Sequence, residues 1–414
     1  MSEITNTKIE RNIKTSPIFY ALINNFVIFT IINVSWLTKF KGLTYNEYFL
    51  IDVIACIVSL VLTIPILLFI SKLGNNRALK LGCVCFFLSA LLYYIGEGFF
   101  SFALAGILCY FYGNIALTVF PCIVENNLKI LKKDNSNFLA VMSKGKLIYS
   151  TITLISCIFT GFLFDYNPHI PMLIFVGFAF VALLLSFYIK DFSNDNYDAK
   201  AVLKSKLDVK SLRYVVFFLL FIILFKGASS IAFSYTKISP QEVGFYMSLI
   251  SIVLFIGRAF QVLINAFAKK IILKLKRKLF ILLPINSFLG IMCLFLPLLV
   301  INDFYAQVVL IILGSILIYG PYDLYKLLLQ YDVLENFKKE EHLKLFFLSG
   351  QADTIGVLLT SLTSSAALGF VSVGASLSIV SAFAILALFV GIFLFCYNRK
   401  GVKKDDELVK EEKI

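Results

Sequence analysis

Charge is scarce in this 414-residue sequence: Asp, Glu, Lys and Arg make up 15% of it, against about 25% in a soluble domain. With 59% hydrophobic residues, that shortage excludes a water-soluble globular fold. Histidine is scarcer still, with only His169 and His342. Neither lies deep in an apolar run, so no His/Cys metal set is expected, and no catalytic constellation of paired histidines or Ser/His/Asp. A P-loop is missing too, which leaves ion gradients or downhill movement as the energy source. No cleavable leader is expected: residues 1–15 are polar, and the first apolar run lacks a cleavage site. The eight cysteines all fall in or beside apolar runs. Cys83 and Cys85 have no second pair to complete a zinc knuckle, so all read as free thiols packed as small hydrophobes.

Long apolar runs fill the space that charge leaves. They predict twelve spans, six at 16–38, 47–70, 78–97, 100–123, 145–165 and 168–190 and six at 213–235, 241–266, 279–301, 304–331, 345–370 and 373–397. Each is near the roughly 20 residues that a helix needs to cross a bilayer. All are too long and too uniformly apolar for barrel strands, so the expected class is an all-α membrane protein.

Basic residues orient it. Thirty-two of the 38 lysines and arginines fall on one set of loops and the termini, and only Lys39, Lys41 and Lys237 on the other. The positive-inside rule then puts both termini in the cytoplasm. The net charge of +13 therefore faces anionic lipid, and nucleic acid is not an expected partner.

The two halves repeat. "YGNIALTVFPCIVENNLKILKKD" from Tyr112 matches "YGPYDLYKLLLQYDVLENFKKEE" from Tyr319 in its mid-helix Tyr-Gly, its acid near the basic end and its Lys-Lys loop. Six spans begin and end on the same side, so the copies share one orientation, as in parallel repeats. The expected domains are bundles at 1–190 and 213–398, a polar linker at 191–212 and a tail at 399–414.

Several passages resemble the major facilitator superfamily: "GLTYNEYFLIDVIACIVSLVLTIPI" its loop and second helix, "GFLFDYNPHIPMLIFVGFAFVALLLSFYIKD" its fifth-to-sixth helix passage. "SKLGNNRALKLG" is similar to part of its gating motif, with Lys72, Gly74 and Arg77 in place, but Ser71 where an aspartate stands and Leu67 where a glycine does. The resemblance implies twelve helices in two pseudo-symmetric six-helix bundles that rock about a midplane site. It also implies that spans 1, 4, 7 and 10 line the cavity.

Ionisable residues inside spans are costly and mark pathways or pairs. Lys226 on span 7 lies about 20 Å deep at a rise of about 1.5 Å per residue. It reads either as a cation that meets substrate or as half of a structural ion pair, with Asp323 or Asp52 as the acid. Arg258, Asp323, Lys326 and Asp353 lie at similar or shallower depth, as an ion-pair cluster or with Asp323 as a proton carrier. Asn24, Asn25 and Asn33 on span 1, Asn114 on span 4, and Tyr319 and Tyr322 on span 10 are candidates for ligand contact or helix glue. Glu125 is a candidate gate partner for the basic 72–80 loop.

The expected function is secondary active transport of a small organic solute, with an anion suited to Lys226 and proton-coupled uptake as the mode. Efflux by proton antiport is the alternative, and a sensor or scaffold with this fold a third reading. The expected setting is a bacterial cytoplasmic membrane, as a monomer without cofactor.

Overall fold

The structure, a computed structural model, describes residues 3–24, 27–133, 135–193, 212–299, 303–320, 322–337 and 339–397. The described residues are helical almost throughout. The first span is α1 (Glu3–Ile23) and α2 (Val27–Ser35), continued by a π-type turn Trp36–Phe40. Next come α3 (Tyr45–Leu73), α4 (Asn75–Ile95), α5 (Gly98–Ile130), α6 (Asn135–Tyr166) and α7 (His169–Tyr188). The second half holds α8 (Leu212–Glu242), α9 (Met247–Ala266), the short α10 (Ala268–Leu275), α11 (Leu279–Leu299), α12 (Phe304–Tyr319), α13 (Tyr322–Asn336), α14 (Lys339–Phe370) and α15 (Val373–Cys396).

Eleven stretches of the described residues are long and apolar enough to cross a membrane. The remaining expected span, 345–370, forms the 32-residue helix α14, rich in Ser, Thr and Gly. It packs against α8 and α3, where small polar side chains suit helix contact better than lipid. This is an integral multi-pass membrane protein. The expected linker falls mostly on residues 194–211, outside the described residues, as does the expected tail at 399–414.

Local chemistry sets the helix ends. Thr44 starts α3 with a capping box: its hydroxyl accepts from Glu47 N–H (3.2 Å) and its N–H donates to Glu47 (2.8 Å). Asp303 and Ser372 cap α12 and α15 more simply, each accepting from the backbone N–H three residues on, Ala306 and Ala375. Gly74 turns the chain between α3 and α4 at φ +82°, a conformation that disfavours a side chain.

One expectation is overturned. Lys237 was assigned to an outer loop, but α8 continues to Glu242 and carries it inside, 6% exposed. The stretch "KISPQE" reads as loop because it is polar. It is helical because those polar groups bond to the other half of the molecule: Lys237 donates to Asn33, Ser35 to Gln241 (2.9 Å) and Gln241 to Thr38 (3.0 Å).

The halves join chiefly through two helix pairs, α3 with α14 and α6 with α9, with α2 also touching α8 and α9. Exchanging the halves turns spans 2 and 11 into 8 and 5, so each pair is the pseudo-symmetric image of the other. The hydrophobic cores divide unequally. One cluster runs through the whole first half and into the part of the second half away from the basic loops, including Ile231, Tyr235, Ile250 and Val380. The other, with Tyr214, Phe221, Tyr325 and Leu345, stays within the basic-loop end of the second half. The halves are therefore fused at one face and have separate cores at the basic face. Asp165 of α6 reinforces the fused face by accepting from the first N–H groups of α9, Met247 (3.1 Å) and Ser248 (2.7 Å), a charge-assisted cap across the halves.

Candidate functional site

Between the halves, on the basic side of the fused face, lies a cavity of about 390 Å³. The first span lends it Tyr20 and Asn24, and α6 lends Lys146, Tyr149, Ser150 and Thr153. The second half supplies Arg258, Gln261 and Asn265 from α9 and Tyr322 and Lys326 from α13. Gly145 makes room for Tyr20: a Cβ there would stand 2.8 Å from the tyrosine's own. Three cations line this cavity and, among the described lining residues, no carboxylate.

Rings and amides hold the cations in place. Arg258 donates to Gln261 (2.8 Å) and stands over Tyr319, 4.5 Å from the ring centroid, and Phe233, 5.8 Å away. Gly257 brings Tyr319 close, with a Cβ position 3.1 Å from its ring. Lys226 donates to the Tyr322 hydroxyl and lies over that ring at 4.5 Å. The negative face of a phenol ring attracts a guanidinium that stands over it. Such a site can receive an anion through Arg258 and the lysines, and hydrogen-bond its polar groups through the three amides.

Of the residues singled out from sequence, Asn24, Tyr322, Arg258 and Lys326 meet at this cavity, with Lys226 and Tyr319 one contact behind. Asn114 does not join them; it donates to Ser59 (3.0 Å) between α5 and α3, as helix glue. Asp353 accepts from Tyr325 (2.7 Å). Asn25 and the Asp323 side chain lie outside the described residues. Asp52 lines a separate cavity of about 240 Å³ within the first half. The small residues after Lys226 serve a neighbouring helix: Gly227 and Gly356 bring α8 and α14 into backbone contact.

Among the gate candidates, Lys72 and Arg77 are exposed, and Glu125 pairs along its own helix with Lys129 (2.8 Å). Asp191 organises the basic face of the first half instead. It accepts from Asn75 (2.7 Å) and Asn126 (2.9 Å), while Asn76 bonds its backbone in both directions. Sequence reading missed Asp191, Lys146, Tyr149 and Gln261. The doubled asparagines in "GNNR" and "ENNL" were the available signal for Asp191. A larger cavity, about 750 Å³, opens at the opposite face among helix ends and loops, with Lys39, Tyr45 and Glu242 in its wall. It lies above the fused face and meets none of the deep residues.

Two pseudo-symmetric six-helix bundles around an interfacial cavity make the fold that the resemblance implied. In particular, the chain is similar to a crystal structure of the nucleoside transporter NupG, with a TM-score of 0.70 over 94% of this chain and 100% of that one, at 11% identity. A point mutant of NupG aligns with a TM-score of 0.69 at 10% identity, over the same shares. At such identity the likeness is one of fold. No protein-family model and no curated protein matches the sequence.

Proposed function

We propose that this protein is a secondary transporter that carries a small organic anion by alternating access, its bundles at 1–190 and 213–398 rocking about the interfacial cavity. The carrying observation is the lining of that cavity: Arg258, Lys146 and Lys326 beside amides from both halves, without a described carboxylate. Low dielectric strengthens the pull of these cations on an anion, and contacts from both halves let a bound solute bias their relative position. With the basic face in the cytoplasm, as the distribution of Lys and Arg supports, the fused face is the outer one and this form opens inward. Proton-coupled uptake across a bacterial cytoplasmic membrane is the mode we propose.

A neutral, ring-bearing solute is the second reading. Tyr20, Tyr149 and Tyr322 offer stacking surfaces, Asn24, Gln261 and Asn265 offer neutral hydrogen bonds, and NupG is by its title a nucleoside transporter. Thermal stabilisation of the purified protein separates the two. Wild type and Arg258→Gln are screened against carboxylates and phosphate esters, nucleosides and organic cations. Stabilisation by an anion class that is lost in the variant is expected. Nucleosides stabilising both proteins equally would transfer the conclusion to the neutral solute, and cations alone would point to efflux.

A further inference from the structure

The second half carries a piece that the first half lacks. Gly74 alone separates α3 from α4, whereas between α9 and α11 the chain inserts α10 and the turn Lys276–Lys278. Six of the ten residues at 269–278 are Lys or Arg, and no acid occurs between Glu242 and Asp303. α10 buries Ala268 and Ile272 and leaves Leu273 exposed together with Lys270 and Lys274, the pattern of a helix that lies at a membrane surface. Lys276 then turns the chain sharply at φ +45°, a conformation uncommon outside glycine. α10 and this turn enclose a cavity of about 360 Å³ against α13 and the end of α15. Lys274, Lys276, Arg277 and Lys278 line it, with Leu275 and Phe395 as apolar wall. Phe395 is exposed in the last turn of a membrane-crossing helix, so the cavity lies at the level of lipid headgroups.

The one carboxylate among the described lining residues is already engaged. Asp332 is 2% exposed, accepts from the Tyr214 hydroxyl (2.6 Å) and stands 4.0 Å from Arg277. Arg277 also donates to the Tyr397 carbonyl (2.8 Å), so the arginine is a strut of the wall. Among the described residues, none of Lys274, Lys276 and Lys278 has an acid partner. In the first half, Asn75 and Asn76 fill the corresponding connection by bonding to Asp191. We propose that the cavity under α10 holds the headgroup of an anionic phospholipid from the leaflet at the basic face. The phosphodiester meets the three lysines, and the start of the acyl chains meets Leu275 and Phe395. A zwitterionic headgroup brings a cation of its own to these lysines and is repelled in part. A free phosphate makes no use of the apolar wall. The lipid site is separate from the interfacial cavity and does not require transport.

Native mass spectrometry of the purified full chain in neutral detergent measures the lipid adducts. The probes are phosphatidylglycerol and phosphatidylcholine, with soluble glycerol phosphate as competitor. Phosphatidylglycerol should fill a saturable site that phosphatidylcholine does not. Lys274→Gln/Lys276→Gln/Lys278→Gln should weaken that binding about a hundredfold, at about a factor of five for each lysine. Lys274→Arg/Lys276→Arg/Lys278→Arg should keep the site, which separates lost charge from lost folding. Lys8→Gln/Arg11→Gln/Lys14→Gln removes three exposed cations of α1 and should change little. Equal loss in the two glutamine triples would reduce the effect to general surface charge and overturn the inference. Loss of the site in the arginine triple overturns it as well, as does phosphatidylcholine binding as tightly as phosphatidylglycerol. Glycerol phosphate that displaces the lipid at equal concentration would make the ligand a soluble phosphate and end the lipid reading.

Discussion

Lys226 is tied to Tyr322 twice, by a hydrogen bond to the phenol oxygen and by a position 4.5 Å above the ring centroid. This half-buried lysine of α8 is therefore fixed to the wall of the interfacial cavity by a side chain that itself lines it. Tyr322→Phe keeps the ring and removes the acceptor, and should cost about 1–3 kcal/mol, the range for a hydrogen bond to a charged group. A double-mutant cycle with Lys226→Met checks this. Strict additivity of the two substitutions would show that the pair is not coupled.

Arg258→Gln should weaken the stabilising anion at least about tenfold, near 1.4 kcal/mol, while unfolding of the solute-free protein shifts little. Arg258→Lys should recover only part of the affinity, since an ammonium cannot reproduce the stacked plane over Tyr319. Titration of each variant by thermal shift measures both quantities. Full affinity in Arg258→Gln would remove the arginine from the site.

Asp191→Ala should destabilise the first half by about 2–4 kcal/mol, since it orphans the amides of Asn75 and Asn126 next to a closed turn. Denaturation monitored by residual helicity in mild detergent is the measurement. A loss below about 0.5 kcal/mol, the scale of an ordinary surface change, would mean that solvent replaces the clamp.

Gly227→Val should prevent assembly of the second half. A Cβ at position 227 would stand 2.6 Å from the Gly356 carbonyl oxygen, and backbone does not yield as a side-chain tip does. The expected cost is about 1–3 kcal/mol or more. Gly177→Ala is the control, with nothing within 4 Å of its Cβ position. Monodispersity on size exclusion should collapse for the first and hold for the second. Equal behaviour would contradict the close approach of α8 and α14.

Each apolar run became a helix because lipid leaves the backbone no other partner, so the class and the spans were legible. The ends were not. α5 runs on to Ile130 and α6 begins at Asn135, because helices continue into water where hydropathy no longer marks them. That is how Glu125 came to pair with Lys129 rather than across a loop, and how Lys146, at the very start of an expected span, came to lie a full three turns inside α6 and face the cavity. Depth along an axis grouped Arg258 with Asp353 but says nothing about rotation around the helix. Arg258 turns to Tyr319 and Gln261, and Asp353 to Tyr325. The polar end of α8 was the hardest to read, since groups that bond across an interface have the composition of a loop.

Among the described residues, the continuous apolar cluster at the fused face has no counterpart across the halves at the basic face. The two end states that the proposed alternating access requires are therefore not mirror images in energy. Parting Ile231 and Tyr235 from the first half would bring apolar side chains into water, whereas closing the basic face brings a cation-lined surface together. On the proposed transport reading, the cycle has a built-in home position, and the work of leaving it falls on whatever arrives from the far side.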